Sequence, residues 1–481
     1  MLPESLKRWW GPLALITVAA LLLRLPGLAF GLPLQTHPDE PQVLAVAVNA
    51  ADGLLSPHFF AYGAVFPYLS GLVIRLYTLV AWSGDFRAFF DLYCEDPSEA
   101  ILVVRACSAA LGAGAVALTG LLGERLGGRA TGLLAAAVLA VDVLAVRDAH
   151  FATVDTCTMF LAVAALLAMA HQRWVVAGLL VGLAAGTKYP AVLLVLPLLF
   201  AGRRAPLALG AAALAFFLSN PFVLLDFSTF QSDLAREAAR RTATAPEEYP
   251  SAAWWYYLCT SLPWALGWPG LAALVGGGAL ALRRRSLALL PAALFALATF
   301  ALISTFVTCA DRYLLPAHPV FAVFIGLGLS RLPWAVLLVL PPMVWGSVTV
   351  DRLLRLPDTR QVAGEWLAAN LPEGSSVALE WAYVPVVDPE RVSVSPLTYD
   401  ETSGWVVMSS YAFNRYHQHP AAYGRELRFI AGLPEPVATF YGLPAERALD
   451  WVERVPPGPM DQRAVQGPQI RVFRLGDTPG P

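Results

Sequence analysis

The sequence predicts a mainly α-helical polytopic membrane protein: a bundle of about eleven transmembrane helices with a C-terminal α+β domain outside the membrane. Three observations predict it. The 481 residues are 57% hydrophobic and 14% charged, with a mean hydropathy of +0.58, whereas a soluble domain carries roughly 25% charge. Apolar segments close to the roughly 20 residues needed to cross a bilayer recur down to Val348. Beyond Val348 they stop, and residues 356–481 have the length of one small domain.

The first apolar segment, 11–30, follows Lys7 and Arg8 and has no small-residue cleavage site after it, so it is read as an uncleaved anchor. Further spans are expected at 101–121, 130–146, 156–171, 205–220, 262–282, 287–308, 314–330 and 333–348. Segment 174–201 is longer, and Lys188 interrupts it. Read as two short helices meeting at Lys188, it places Arg203 and Arg204 on the inner side. The inner loops then hold Lys7, Arg8, Arg125, Arg129, Arg173, Arg203, Arg204, Arg283, Arg284, Arg285 and Arg331 against only Glu4 and Glu124. That bias fixes the N-terminus inside and the C-terminus outside. The outer loops are acid-rich, with Asp39, Glu40, Asp85, Asp91, Asp155, Asp226, Asp233, Glu247 and Glu248 among them.

Segment 66–82 carries Arg75 midway. It is read as an interfacial helix in an outer loop spanning 31–100, because a true span there would put Asp39 and Asp155 on opposite faces. A second outer loop covers 221–261. The membrane domain is thus 1–349 and the outer domain 350–481, with a helix at 359–371 and strands at 376–380, 406–410 and 469–475. The net charge of −2 argues against nucleic acid as a partner. Cys94, Cys107, Cys157, Cys259 and Cys309 have no zinc spacing, and a Cys94–Cys259 disulfide is left open.

The candidate site is the tetrapeptide His37-Pro38-Asp39-Glu40 after the first span, together with Asp155 at the outer end of another. Two loop carboxylates on one face suit a general base or a metal ligand. The alternative is a helix start set by Pro41 and a first-turn acid. Lys188 has two readings, a cation for a lipid phosphate or a snorkelling lysine. Arg312, in Asp311-Arg312-Tyr313, is placed to hold a phosphate bidentately or to pair with Asp311. Arg236, Arg240 and Arg241 are read as a solvated face.

These pieces together resemble glycosyltransferase family 39, the bacterial relatives of protein O-mannosyltransferases and of the lipid A aminoarabinose transferase. The matching residues are His37-Pro38-Asp39-Glu40, Arg147 with His150-Phe151-Ala152-Thr153-Val154-Asp155, Thr187-Lys188-Tyr189, Asn220-Pro221-Phe222 and Arg312-Tyr313-Leu314-Leu315-Pro316. The resemblance runs to about Val348. It implies the GT-C fold, an outward-facing active site in the plasma membrane, and a sugar donor carried on polyprenyl phosphate. It further implies that Asp39 is the catalytic base or acceptor-orienting acid, supported by Glu40 and Asp155. Lys188 and Arg312 are then expected to hold the donor phosphate, with His37, Arg147, His150, Tyr189 and Tyr313 lining the substrate. No cofactor is called for; a divalent metal on Asp39 and Asp155 is left open.

The chemistry agrees with this. No nucleotide pool exists outside the cytoplasm, so an outward-facing transferase needs a lipid-delivered donor. Its phosphate leaving group needs cations, and its acceptor needs a base. The expected function is therefore sugar transfer from a polyprenyl-phosphate donor to an extracytoplasmic acceptor. The rival is a transporter or flippase of a lipid-linked glycan, which would carry charges near the bilayer midplane and show a repeat.

Overall fold

The computed structural model describes residues 4–34, 37–242, 252–307, 309–381, 383–418, 420–441 and 467–476. Glu247 and Glu248, counted above among the outer acids, lie outside them. By its contacts the chain divides into two compact units. One comprises Met1–Leu28, His37–Ala243 and Ser251–Asp351; the other comprises Ala29–Thr36, Thr244–Pro250 and Arg352–Pro481.

The first unit is helical, as the composition requires. Its elements run α1 (Glu4–Leu23), α2 (Glu40–Ala51), α3 (Val65–Ala81), α4 (Phe86–Glu95), α5 (Ser98–Gly127), α6 (Arg129–Ala140), α7 (Val143–Asp148), α8 (Val154–Ala170) and α9 (Trp174–Thr187). A tightly wound stretch, Tyr189–Leu194, leads into α10 (Val195–Leu198). Then come α11 (Ala205–Ser219), α12 (Phe222–Leu225), α13 (Phe227–Thr242), α14 (Ala253–Tyr256), α15 (Leu262–Arg283), α16 (Leu290–Ile303), α17 (His318–Leu329) and α18 (Val336–Leu354). Among the described residues four helical stretches are long and apolar enough to cross a membrane: Ser98–Gly127, Tyr189–Ser219, Ala253–Arg283 and Pro333–Leu354. Shorter apolar helices accompany them, including Trp9–Leu23, Val154–Ala170 and Trp174–Thr187. The protein is an integral membrane protein.

Each expected span is helical, with shifted ends that have local causes. The first stops at Leu23, not residue 30, because Pro26 disfavours helical backbone at Leu25. Arg24 then turns inward, and its guanidinium donates to the carbonyls of Ala20 (2.9 Å), Ala140 (3.0 Å) and Leu139 (3.2 Å). The long segment at 174–201 breaks at Lys188, whose backbone is extended (φ −148°, ψ 118°), and turns again at Gly202 (φ 57°). Helices α9 and α11 pack backbone to backbone. A Cβ at Gly178 or Gly182 would overlap the carbonyl oxygens of Ala208 and Ala212. Helices α3 and α4 meet at 112°, and both Tyr77 and Trp82 donate to Glu99 across that bend (2.8 and 2.7 Å). All five cysteines are free, so the pairing left open between Cys94 and Cys259 is not made.

The second unit is α+β. Helix α19 (Thr359–Asn370) starts at Asp358, whose carboxylate accepts from the Arg360 N–H at 2.9 Å. Strands β1 (Ser376–Leu379), β2 (Ser393–Pro396), β3 (Gly404–Ser409), β4 (Ala438–Phe440) and β5 (Ile470–Leu475) form one sheet in the order β2-β1-β3-β5-β4. Strand β1 runs parallel to both neighbours, while β5 is antiparallel to β3 and β4. Two-residue alternation divides β3: Trp405 and Val407 pack with Leu367 of α19, whereas Val406 and Met408 pack with Phe413 and Ile430 of α20 (Ser410–Gln418) and α21 (Gly424–Ala431). The three strands expected from sequence are present; β2, wholly exposed, and the three-residue β4 were not anticipated.

One buried ion pair holds the first unit together where its loops converge. Arg105, about two turns into α5, donates to both oxygens of Glu40 (2.8 and 2.6 Å), and both side chains are fully buried. The same guanidinium reaches the Leu28 carbonyl, and the Ala152 N–H donates to Glu40 Oε1 at 2.7 Å. Removing either charge alone strands the other in the interior. Glu40→Gln or Arg105→Met is expected to cost about 3–5 kcal/mol. The double variant Glu40→Leu/Arg105→Met should recover much of that loss in thermal unfolding of the lipid-embedded protein.

Candidate active site

Four sequence-distant segments place their charged side chains together in the first unit. Asp39 stands immediately before α2, with its carboxylate Oδ2 2.9 Å from an Arg312 nitrogen. Asp155 lies in the first turn of α8, and Oδ1 is 2.5 Å from Lys188 Nζ at the end of α9. Arg312 Nε lies 4.0 Å from Asp155 Oδ2, so a single guanidinium faces both acids. Burial is graded: Lys188 and Asp155 are enclosed, while Asp39 and Arg312 are partly open (21% and 27% side-chain exposure). The two neighbouring carboxylates oppose the burial of Arg312 and hold its pKa above the ordinary guanidinium value.

His37 orients Asp39. Its Nδ1 accepts the Asp39 N–H at 3.2 Å, and its ring lies 4.5 Å from Phe151. Burial pushes the imidazole down to about 4, so it is neutral at physiological pH, as an acceptor Nδ1 requires. Tyr62 shares the field of this cluster. Burial, and then the Asp39 carboxylate, hold its hydroxyl protonated well above the usual phenol range.

Tyr313 follows Arg312 and is clasped between cations, with Lys188 Nζ 5.1 Å and the Arg241 guanidinium 4.5 Å from its ring centre. Lys188, Arg241 and Tyr313 line a small cavity together with Phe295, Leu302, Ile303 and Phe306. The sequence reading of Arg236, Arg240 and Arg241 as one solvated face therefore needs correction. Arg236 and Arg240 are exposed (72% and 79%), but Arg241 is 14% exposed, paired with Glu237 and stacked on Phe306. A helical face three to four residues wide turns Arg241 inward while its neighbours stay out.

The other expected site residues stand apart from this cluster. Glu40 is committed to Arg105. Arg147 pairs with Asp148 (2.9 Å) and Asp311 (3.4 Å) and lies over Trp264 (4.9 Å); Tyr256 donates to the same Asp311 (2.8 Å). His150 is fully buried between the carbonyls of Val146 (2.8 Å) and Pro26 (2.9 Å), and burial pushes it down to about 4. Tyr189 donates to the Tyr62 carbonyl at 3.2 Å. Among the described residues no group of three or more His, Cys, Asp or Glu side chains is placed to hold a metal. Asp39 and Asp155 do not fit a divalent ion in this arrangement, because each faces a guanidinium or an ammonium.

Sequence reasoning missed Arg105, Tyr62 and Arg241. Arg105 had a signal: a lone arginine inside the apolar segment 101–121 demands a partner. Arg241 and Tyr62 had none, since loop and helix-face positions become site positions only through tertiary packing.

A model of glycosyltransferase family 87 matches residues 88–306. No curated protein sequence matches the chain significantly. Among solved structures, an oligosaccharyltransferase from Archaeoglobus fulgidus, tethered with an acceptor peptide containing the NVT sequon, is similar with a TM-score of 0.55 at 14% identity, covering 90% of this chain and 73% of that one. ArnT from Cupriavidus metallidurans bound to undecaprenyl phosphate is similar with a TM-score of 0.52 at 15% identity, over 98% of this chain and 99% of that one. The archaeal oligosaccharyltransferase AglB from A. fulgidus, in complex with an inhibitory peptide and a dolichol-phosphate, gives 0.53 at 14% identity, over 80% and 65%. The fold is that of the GT-C membrane glycosyltransferases, as the motifs implied, and the class is glycosyltransferase. The matching family model is that of family 87, where the motifs had suggested family 39.

Two outcomes are expected from this geometry. Lys188→Met leaves the buried Asp155 carboxylate with Arg312 at 4.0 Å as its nearest cation, and should lower stability by about 3 kcal/mol. Lys188→Met/Asp155→Leu should restore most of it in the same unfolding assay. The His37 pKa lies below its ordinary value of 6.5, so on acidification the unfolded chain takes the proton first. Its contribution to stability is present above about pH 6.5 and is lost as the pH falls toward 4. Unfolding temperature against pH should show that slope in the wild type and less of it in His37→Gln.

Proposed function

We propose that the protein transfers a sugar from a polyprenyl-phosphate donor to an acceptor on the outer face of the plasma membrane, with Asp39 as general base. The observation that carries this is the Asp39–Arg312–Asp155–Lys188 cluster beside the small cavity that Lys188 and Arg241 share with Phe295 and Phe306. Relatives of the same fold were solved with undecaprenyl phosphate and with dolichol-phosphate, which supports a lipid-linked donor. The arginine-rich connections at the other ends of the helices support an outward site.

The acceptor hydroxyl or amine gives its proton to the Asp39 carboxylate and attacks the anomeric carbon. The bond from that carbon to the phosphate oxygen breaks, and its electron pair leaves with the polyprenyl phosphate. The configuration inverts. Lys188 and Arg241 meet the charge that grows on the phosphate; a bidentate guanidinium and an ammonium stabilise it best in a site that excludes water. Arg312 aims Asp39 through their 2.9 Å contact, and Glu40 acts as a positioning residue through its tie to Arg105. The isoprenoid chain extends along Phe295, Leu302, Ile303 and Phe306. The alternative, transport of a lipid-linked glycan, is disfavoured by the glycosyltransferase match and by the position of the cluster at helix ends.

The test is turnover of a panel of polyprenyl-phosphate sugars by purified protein in lipid. Asp39→Asn is expected to lower turnover about 100-fold or more while retaining donor binding. Arg241→Ala should weaken donor binding about tenfold or more, with Arg241→Lys recovering only part. Full activity of Asp39→Asn would remove the base from this scheme. Donor affinity unchanged in Arg241→Ala would move the phosphate elsewhere.

A further inference from the structure

The second unit carries an aromatic cluster with no part in the scheme above. In open sheets with parallel strands, ligands bind outside the carboxyl ends of the strands, where the strand order reverses. Here the chain runs from β1 to β2 on one side and then crosses to β3 on the other, so the reversal falls between β1 and β3. Glu380 and Trp381 follow β1, Tyr399 follows β2, and Tyr411 and Tyr416 follow β3 in the first turns of α20.

These residues form one hydrogen-bonded group. Trp381 is 55% exposed, and its ring N–H donates to the Tyr416 hydroxyl at 2.9 Å, which fixes the indole. Tyr411 meets that ring edge-on at 5.7 Å, and Tyr383 lies 4.0 Å from Tyr411 at a shallow angle. Glu380 is 2% exposed. Its Oε1 accepts from Tyr399 (2.5 Å), Tyr416 (3.1 Å) and the Trp381 N–H (3.0 Å), whereas Oε2 is buried without a partner. A buried carboxylate oxygen without a donor forfeits its hydration with nothing in return. Tyr383 (φ 57°) and Tyr399 (φ 65°) both adopt left-handed backbone, a conformation that concentrates at ligand sites.

We propose that this aromatic cluster binds a carbohydrate, with one sugar ring stacked on the exposed Trp381 and its hydroxyls entering the hydrogen-bonded network of Tyr399, Tyr416 and Glu380. A pyranose presents an apolar C–H face and a polar hydroxyl edge. The cluster offers the complement, a fixed exposed indole beside a buried carboxylate oxygen without a donor. An anion would meet Glu380, and a hydrocarbon would leave that carboxylate unsatisfied. A cation would meet Arg415, whose guanidinium already lies 6.0 Å from the Trp381 ring centre. The inference draws on the proposed function only for the class of ligand, since every residue in it belongs to the second unit.

The experiment is calorimetric titration of the full-length protein in lipid nanodiscs with short gluco-, manno- and galacto-oligosaccharides. Wild type is expected to bind at least one of them saturably. Trp381→Ala should weaken that binding about tenfold or more and Trp381→Phe less, with unfolding temperatures unchanged. Glu380→Gln should weaken it severalfold, and Asp39→Asn should not. Binding to none of the three classes, or binding equal in Trp381→Ala, overturns the inference and leaves the transferase reading intact. Binding lost in Asp39→Asn but kept in Trp381→Ala also overturns it, and assigns the sugar to the membrane unit. Loss of donor turnover in Asp39→Asn is read in a separate assay, so the two readings can fail independently.

Discussion

The contact between Glu40 and Arg105 is the constraint on which the site depends. A carboxylate and a guanidinium with no exposed surface are stable only as a pair with their remaining hydrogen bonds filled, and this pair fills them with the Leu28 carbonyl and the Ala152 N–H. The first loop, the N-terminal part of α5 and the approach to α8 are thereby joined at one point. Asp39 is the neighbour of Glu40, and Asp155 lies three residues beyond Ala152. Their proximity therefore follows from a pair that touches no substrate. Adjacent acids in His37-Pro38-Asp39-Glu40 have divided tasks: the second anchors, which leaves the first facing the open side.

Charge balance shapes what the cluster can accept. Two carboxylates face two cations at the core, and Arg241 is matched by Glu237. A phosphate entering beside Lys188 does not find an empty positive pocket; it exchanges with carboxylates already in place. Such a site discriminates by geometry more than by gross attraction, because an anion that cannot reach Lys188 and Arg241 together gains less than the pairs it disturbs. The aromatic ring of Tyr313 between those cations limits where they can go.

Much of the architecture was legible in the sequence. Hydropathy gave the apolar spans but not the short helix α2, and the charge of Lys188 together with the loop arginines gave the break in the long segment. Strands expected at 376–380, 406–410 and 469–475 correspond to three of the five strands. What escaped had a common cause. Strand β2 is fully exposed and carries no burial pattern, and β4 is too short to show one. The inward turn of Arg241 and the approach of Tyr62 to Asp39 are fixed by which helices pack together, which no local pattern encodes. Among the site residues, Asp39, Asp155, Lys188 and Arg312 do meet. Arg147 and His150 share their motif but serve other partners.

Gly63 packs directly against the last turn of α9. A Cβ there would overlap the carbonyl oxygen of Gly186, and the Gly63 N–H donates to the Thr187 carbonyl at 3.1 Å. Asn220 completes the joint, its side-chain oxygen accepting the Ala64 N–H at 2.7 Å. The residue after Thr187 is Lys188. The loop before α3 is thus clamped to the peptide that aims the buried lysine, by a main-chain hydrogen bond and the Asn220 side chain. Such a joint has a thickness and no chemistry of its own: it admits hydrogen where a methyl group would wedge it apart. Drift elsewhere in that loop can proceed without disturbing the cation, whereas one added carbon at Gly63 would shift it, though Gly63 lies far from Lys188 in the chain and bears no functional group.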